Sequence, residues 1–181
     1  MRYLLLLIFL SGSYLKGICQ AGDHKIIYLK IIEAVTAEYK WRKDIILIYD
    51  STSNWTAKEN YSLLSLIRKR QKLKTKEWDS VMQNFDLCPQ AEPINKYFNL
   101  PDIPKVAGVK FIYETQKVAG TDAFGYWRIS FSPLYFNDDH TKCLAVADFL
   151  VGMCGNGAKR ILFFQKNKEG VWLKAKRLFM E

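Results

Sequence analysis

Between residues 125 and 179 the chain alternates stretches of β-branched and aromatic residues with short gaps rich in turn formers: Asn137-Asp138-Asp139, then Gly155-Asn156-Gly157, then residues 167–170. Short turns can join only antiparallel neighbours, because a parallel pair needs a crossover of a dozen or more residues. Strands are therefore expected over residues 125–131, 142–151, 158–165 and 171–179, paired in chain order as a meander. A fifth strand is expected over residues 109–114. Alternation is clearest in the last strand, where Val171, Leu173 and Ala175 point one way and Trp172, Lys174 and Lys176 the other.

Ahead of these strands the periodicity is helical. In residues 23–39, Ile27, Ile31, Ala34 and Val35, with Tyr28, Ile32 and Tyr39 beside them, recur at three- and four-residue spacing and describe an amphipathic helix. Residues 45–49 form a short β-branched run that suits a buried strand followed by a turn-rich loop. Thr56 and Glu59 stand in a capping-box relation ahead of Leu63, Leu64, Leu66 and Ile67. Thr75 can cap a third helix, on which Trp78, Val81, Met82 and Phe85 share one side. Residues 87–108 hold Pro89, Pro93, Pro101 and Pro104 and read as an irregular crossover, with a short helix near residues 94–98. The class expected is α+β, with N-terminal helices packed on one face of a C-terminal four- to five-stranded antiparallel meander. At 181 residues, 49% hydrophobic and 14% aromatic, the chain has the material for one packed domain over residues 20–181 and is not a disordered chain.

Residues 1–19 read as an export signal: Arg2, an apolar run from Leu4 to Leu10, then small and polar residues, with the mature chain starting near Gln20. An acyl anchor on Cys19 is the competing reading, and bulky Ile18 and charged Lys16 argue against it. No later segment approaches the roughly 18 unbroken apolar residues of a membrane helix, so a soluble periplasmic or secreted protein is expected. Removing residues 1–19 takes away Arg2 and Lys16 and no acid, so the formal charge falls from +9 to +7. That surplus favours anionic partners.

Export leaves Cys88, Cys143 and Cys154 in an oxidising compartment. Cys143 and Cys154 sit at the two ends of one expected strand, too far apart to bond, so Cys88 is the one candidate partner for either, and no bond at all is the equal alternative. No metal site or cofactor is expected: there is no CxxC, and His24 and His140 lie far apart in sequence.

The stretch Ile129-Ser130-Phe131-Ser132 through Phe136-Asn137, then residues 142–147, Cys154-Gly155-Asn156-Gly157 and Gly170-Val171-Trp172 resembles the C-terminal half of a family of uncharacterised small secreted bacterial proteins. Its pattern runs as an FS…FN strand, a turn, a strand, a CGxxCGxG-like loop and a strand pair closed by G-x-W. Leu150 stands where the first loop cysteine would be, so a disulfide within that loop is lost here. The resemblance implies the fold and export, and carries no activity.

Candidate sites each face a plainer explanation. Gly152, Gly155 and Gly157 around Cys154 and Asn156 could form an anion-binding nest, but Asn156-Gly157 is the pair a type I′ turn requires. Asp138, Asp139 and His140 could be an acid-base cluster or metal ligands, but stand where the chain must turn. Asp148 interrupts the apolar face of Leu144, Val146 and Leu150, and a buried acid needs a partner. With the hairpin turning at Asp138-Asp139, Arg128 lies opposite or nearly so, and a structural ion pair is expected. Arg68, Lys69, Arg70, Lys72, Lys74 and Lys76 form the densest basic run and a candidate anion-binding surface. The aromatic interleaving of a nucleic-acid surface is missing from it. Sequons at Asn54 and Asn60 matter only in a eukaryotic secretory route. No catalytic residues stand out. The expected function is a non-enzymatic binding or accessory module of the cell envelope, its partner an anionic envelope component or another protein. The alternative is an envelope hydrolase with a site assembled from residues distant in sequence.

Overall fold

The structure is a computed structural model that describes residues 22–37, 45–52, 65, 78–86, 91–113, 126–151 and 156–180. Residues 22–37 are helical (α1), as the periodicity predicts, and bury Ile27, Tyr28, Ile31, Ile32 and Val35. β1 spans Ile45–Ile48 and a second helix, α2, spans Asp79–Asp86. Two single 3₁₀ turns follow, Ile94–Lys96 and Leu100–Asp102, where one short helix was expected. The strands are then β2 (Lys110–Tyr113), β3 (Tyr126–Phe131), β4 (Tyr135–Phe136), β5 (Lys142–Val151), β6 (Asn156–Lys166) and β7 (Trp172–Met180). The capping-box helix after Thr56 and the cap at Thr75 lie outside the described residues.

The protein is α+β. β3, β5, β6 and β7 pair antiparallel in sequence order, as the turn chemistry requires. The sheet as a whole is mixed, which corrects the expectation of a purely antiparallel meander. β1 lies between β2 and β3 and runs parallel to both, giving the order β2-β1-β3-β5-β6-β7, with β4 on β5. The chain between β1 and β2, which carries α2, is long enough for the crossover that a parallel pair demands.

A second correction concerns the faces. One face of the sheet packs α1 against Ile46, Ile48, Trp127, Ile129, Phe131, Ala145, Phe149, Leu162 and Phe164. The other packs Trp78, Val81, Met82 and Phe85 against Tyr135, Leu144, Val146, Ile161 and Phe163. Helices therefore cover both faces rather than one, and β5 and β6 are apolar at successive positions because neither side of them meets water. Trp78 meets Phe163 edge-on at 5.0 Å and Phe85 meets Tyr135 at 4.7 Å, pairs worth about 0.5–1.5 kcal/mol each beyond their area.

Turns account for the remaining differences. Asn137 Oδ1 accepts from the Thr141 and Lys142 amides, Asp139 accepts from Thr141, and His140 adopts a φ of 53°, so Asp138, Asp139 and His140 build the β4–β5 hairpin. The last hairpin turns on Gly170 at a φ of 77°, with Asn167 Oδ1 accepting from the Val171 amide. Asn156 and Gly157 are not a turn. They pair with Val151 and Leu150 inside the ladder, which moves the connection to residues 152–155, outside the described residues. At the start of β7 the buried residue is Trp172, 1% exposed, whereas Val171 and Leu173 are 49% and 50% exposed, so the apolar alternation there does not mark the core side.

Candidate functional site

Two parallel strands end side by side, β1 at Ile48 and β2 at Tyr113, and the carboxyl ends of parallel strands are where α/β sheets open a crevice. Just beyond β1, residues 50–52 run against residues 92–94. Ser51 bridges Pro93, the Thr52 amide donates to Glu92 O at 2.8 Å, and the Ile94 amide donates to Asp50 O at 2.7 Å. The buried Thr52 hydroxyl accepts from the Glu92 amide at 2.8 Å, closing the clamp. On the far side Tyr113 donates its hydroxyl to Phe98 O at 3.1 Å. Between these walls lies an open crevice of about 590 Å³, lined among others by Asp50, Ser51, Glu92, Asn95, Asn99 and Tyr113.

The electrostatics follow from the neighbours. Tyr97 donates a hydrogen bond to Glu92 Oε2, and Lys96 Nζ lies 3.1 Å from the same oxygen, so the Glu92 carboxyl is held below the usual carboxylate range. Burial, followed by the hydrogen bond to Glu92 and then its charge, pushes the Tyr97 phenol well above its ordinary value. Burial raises Tyr113 as well, with Asp50 and Asp102 adding to it. Tyr97 is also stacked on His24 at 4.8 Å, and His24 tilts against Phe136 at 5.0 Å. His140 stacks on Phe136 at 4.7 Å. The two histidines, far apart in sequence, therefore meet one phenylalanine ring and join α1 to the wall of the crevice.

The Glu92–Tyr97 bond has a measurable signature. Glu92 has a lowered folded pKa, so its stabilisation is present above the unfolded carboxyl pKa, near 4.3, and is lost as pH falls through the folded value. Tyr97, raised, keeps its proton throughout that range. Tyr97→Phe should cost about 1 kcal/mol at pH 7 and clearly less at pH 3, read from urea unfolding at both pH values. An equal cost at both would show that the bond draws nothing from the Glu92 charge.

The other sequence-derived candidates are distributed as follows. Arg68, Lys69, Arg70, Lys72, Lys74 and Lys76, the sequons at Asn54 and Asn60, and Gly152, Cys154 and Gly155 lie outside the described residues, as does Cys88. Cys143 is a free, buried thiol whose pKa burial pushes far up. Asp148 is half-buried, with Ser130 opposite it on β3 and Lys159 opposite it on β6. Arg128 pairs with Leu150, two positions along, so Arg128 and Asp148 share a face and sit diagonally. Among the described residues no group of three or more His, Cys, Asp or Glu side chains could hold a metal ion.

Asp50 and Glu92 escaped sequence reasoning. Asp50 directly follows an apolar strand, a signal that becomes informative only once that strand is known to run parallel to its neighbours. Comparison with family models, with curated proteins and with solved structures finds no match. The crevice is therefore interpreted from its own geometry.

Proposed function

We propose that the chain is an exported, non-enzymatic binding module of the cell envelope that holds a neutral, polyhydroxylated ligand, a saccharide, in the crevice beyond β1 and β2. The single observation that carries this is the convergence of Asp50, Glu92, Asn95, Asn99 and Tyr113 on one open space. Two carboxylates accept, two amides both donate and accept, and the Tyr113 phenol, its proton given to Phe98 O, accepts, a set matched to adjacent hydroxyl groups. An anionic ligand suits this acid-lined space poorly. Glu92, held ionised by Tyr97 and Lys96, is suited to accepting hydrogen bonds rather than to donating a proton as a general acid. The apolar leader in residues 1–19 supports export. Among the described residues no helix is long and apolar enough to cross a membrane, which is compatible with a soluble domain.

Titration of the mature protein with N-acetylglucosamine oligomers and neutral hexose oligomers, followed by tyrosine fluorescence and by chromatography of the sugar, tests this. Saturable binding should be weakened at least tenfold by Asp50→Asn, which keeps the shape and removes the charge. No binding by any of these sugars, or binding indifferent to Asp50→Asn, defeats the proposal. Cleavage of a bound sugar would replace it with the hydrolase reading.

A further inference from the structure

A second concavity lies on the other side of the 3₁₀ turns. The turn Leu100–Asp102 packs against β2, and the chain then runs through Ile103 and Pro104 to enter the strand at Lys110. The groove left between them has a volume of about 610 Å³ and is lined by Leu100, Ile103, Val109 and Phe111, with Lys105 and Lys110 also in its wall. Its character is opposite to that of the crevice: aliphatic and aromatic carbon inside, and two ammonium groups in place of carboxylates. Lys105 and Lys110 are exposed, and neither makes an ion pair among the described residues. Asp102, the acid on the same turn, is already engaged. It accepts from Lys25 Nζ at 2.8 Å and from the Asn99 amide at 2.9 Å. The two lysines are thus left for an external anion.

We infer that this groove takes one acyl chain of an anionic phospholipid, with the phosphate against Lys105 and Lys110. The volume lies within the range of small-molecule sites, and such sites are mostly apolar with a few placed polar groups. The methylene stems of the two lysines extend the apolar wall while their heads reach the phosphate, a residue type suited to binding phosphate as a point charge. β2 ends the sheet order among the described residues, so the groove sits at the margin of the fold. The overall surplus of base acts in the same direction at longer range. The inference stands independently of what the acid-lined crevice holds.

The test uses monomeric myristoyl lysophosphatidylglycerol, with myristoyl lysophosphatidylcholine and inorganic phosphate as comparison ligands, each titrated into the mature protein by calorimetry. The anionic lipid should bind one to one, weaken as salt is raised, and bind at least tenfold more tightly than the zwitterionic lipid, with no detectable heat from phosphate. Lys105→Gln with Lys110→Gln should lower the affinity for the anionic lipid about thirtyfold and that for the zwitterionic lipid, whose phosphate charge is offset by its own ammonium, by much less. Both positions are exposed, so the double variant should unfold at the parent temperature. Equal binding of the two lipids, an unchanged affinity in the double variant, or phosphate binding as tightly as the lipid would each overturn the inference. A pair of substitutions inside the groove, Val109→Asn and Phe111→Asn, should abolish lipid binding; retention of it by a folded variant would place the lipid elsewhere.

Discussion

Ala145→Asp and Val146→Asp will each abolish cooperative folding, although the two side chains point to opposite faces of β5. Ala145 pairs with Leu162 and packs in the cluster under α1, while Val146 pairs with Ile161 and packs in the cluster under α2. Both are fully buried. An uncompensated carboxylate in either place costs several kcal/mol after relaxation, against a total stability of roughly 5–15 kcal/mol for a domain. If helices covered only one face, one of the two substitutions would fall on a wet surface and change stability by no more than about 0.5 kcal/mol. Circular dichroism and urea titration of the two variants, with Leu173→Asp as an exposed control on the neighbouring edge, decide between the arrangements. A native, cooperative transition for either buried variant would show that its face is open.

The second large effect is at Trp172. This residue is almost wholly buried, packs edge-on to Phe136 at 5.9 Å, and donates its indole N–H to Asp23 Oδ1 at 2.8 Å. Asp23 also accepts from Lys166 Nζ at 2.8 Å, and that ammonium lies 4.8 Å from the Trp172 ring centroid. The first turn of α1 is thereby fixed to the last hairpin. Trp172→Ala should cost about 3–5 kcal/mol, the usual range for deleting a large buried aromatic. Trp172→Phe keeps most of the apolar volume and drops the charge-assisted bond, for about 1.5–3 kcal/mol. Asp23→Asn should cost less in the Trp172→Phe background than in the parent, the remaining cost being its ion pair with Lys166; full additivity in that double-mutant cycle would show that Asp23 and Trp172 do not interact.

Short-range features of the chain were legible. The three- and four-residue spacing of Ile27, Ile31 and Val35 describes α1, and the face of Trp78, Val81, Met82 and Phe85 is the one α2 buries. Asn137, Asp139, Asn167 and Gly170 make the turns their chemistry suits, so β3, β5, β6 and β7 pair antiparallel. The doubly covered sheet left a trace too: residues 143–151 are apolar at nearly every position, the mark of a strand buried on both sides. Cleaner alternation in the last strand, residues 171–176, pointed towards a single covered face instead. The Arg128–Asp148 pairing was displaced by two residues because the hairpin closes between Phe136 and Cys143, later along the chain than a turn centred on Asp138, so that Ser130 rather than Arg128 meets Asp148.

What the sequence determined by itself is whatever acts within a few residues: helix faces, strand periods, turn conformations and the basic balance of the chain. Only the tertiary structure decided that β1 slots between β2 and β3, that α1 and α2 lie on opposite faces, and that Asp50 meets Glu92 and Tyr113 around one crevice. The physical reason is the distance along the chain. Each of those contacts joins segments dozens of residues apart, where pairing is selected by the collective burial of apolar surface on both faces and leaves no local motif to mark it.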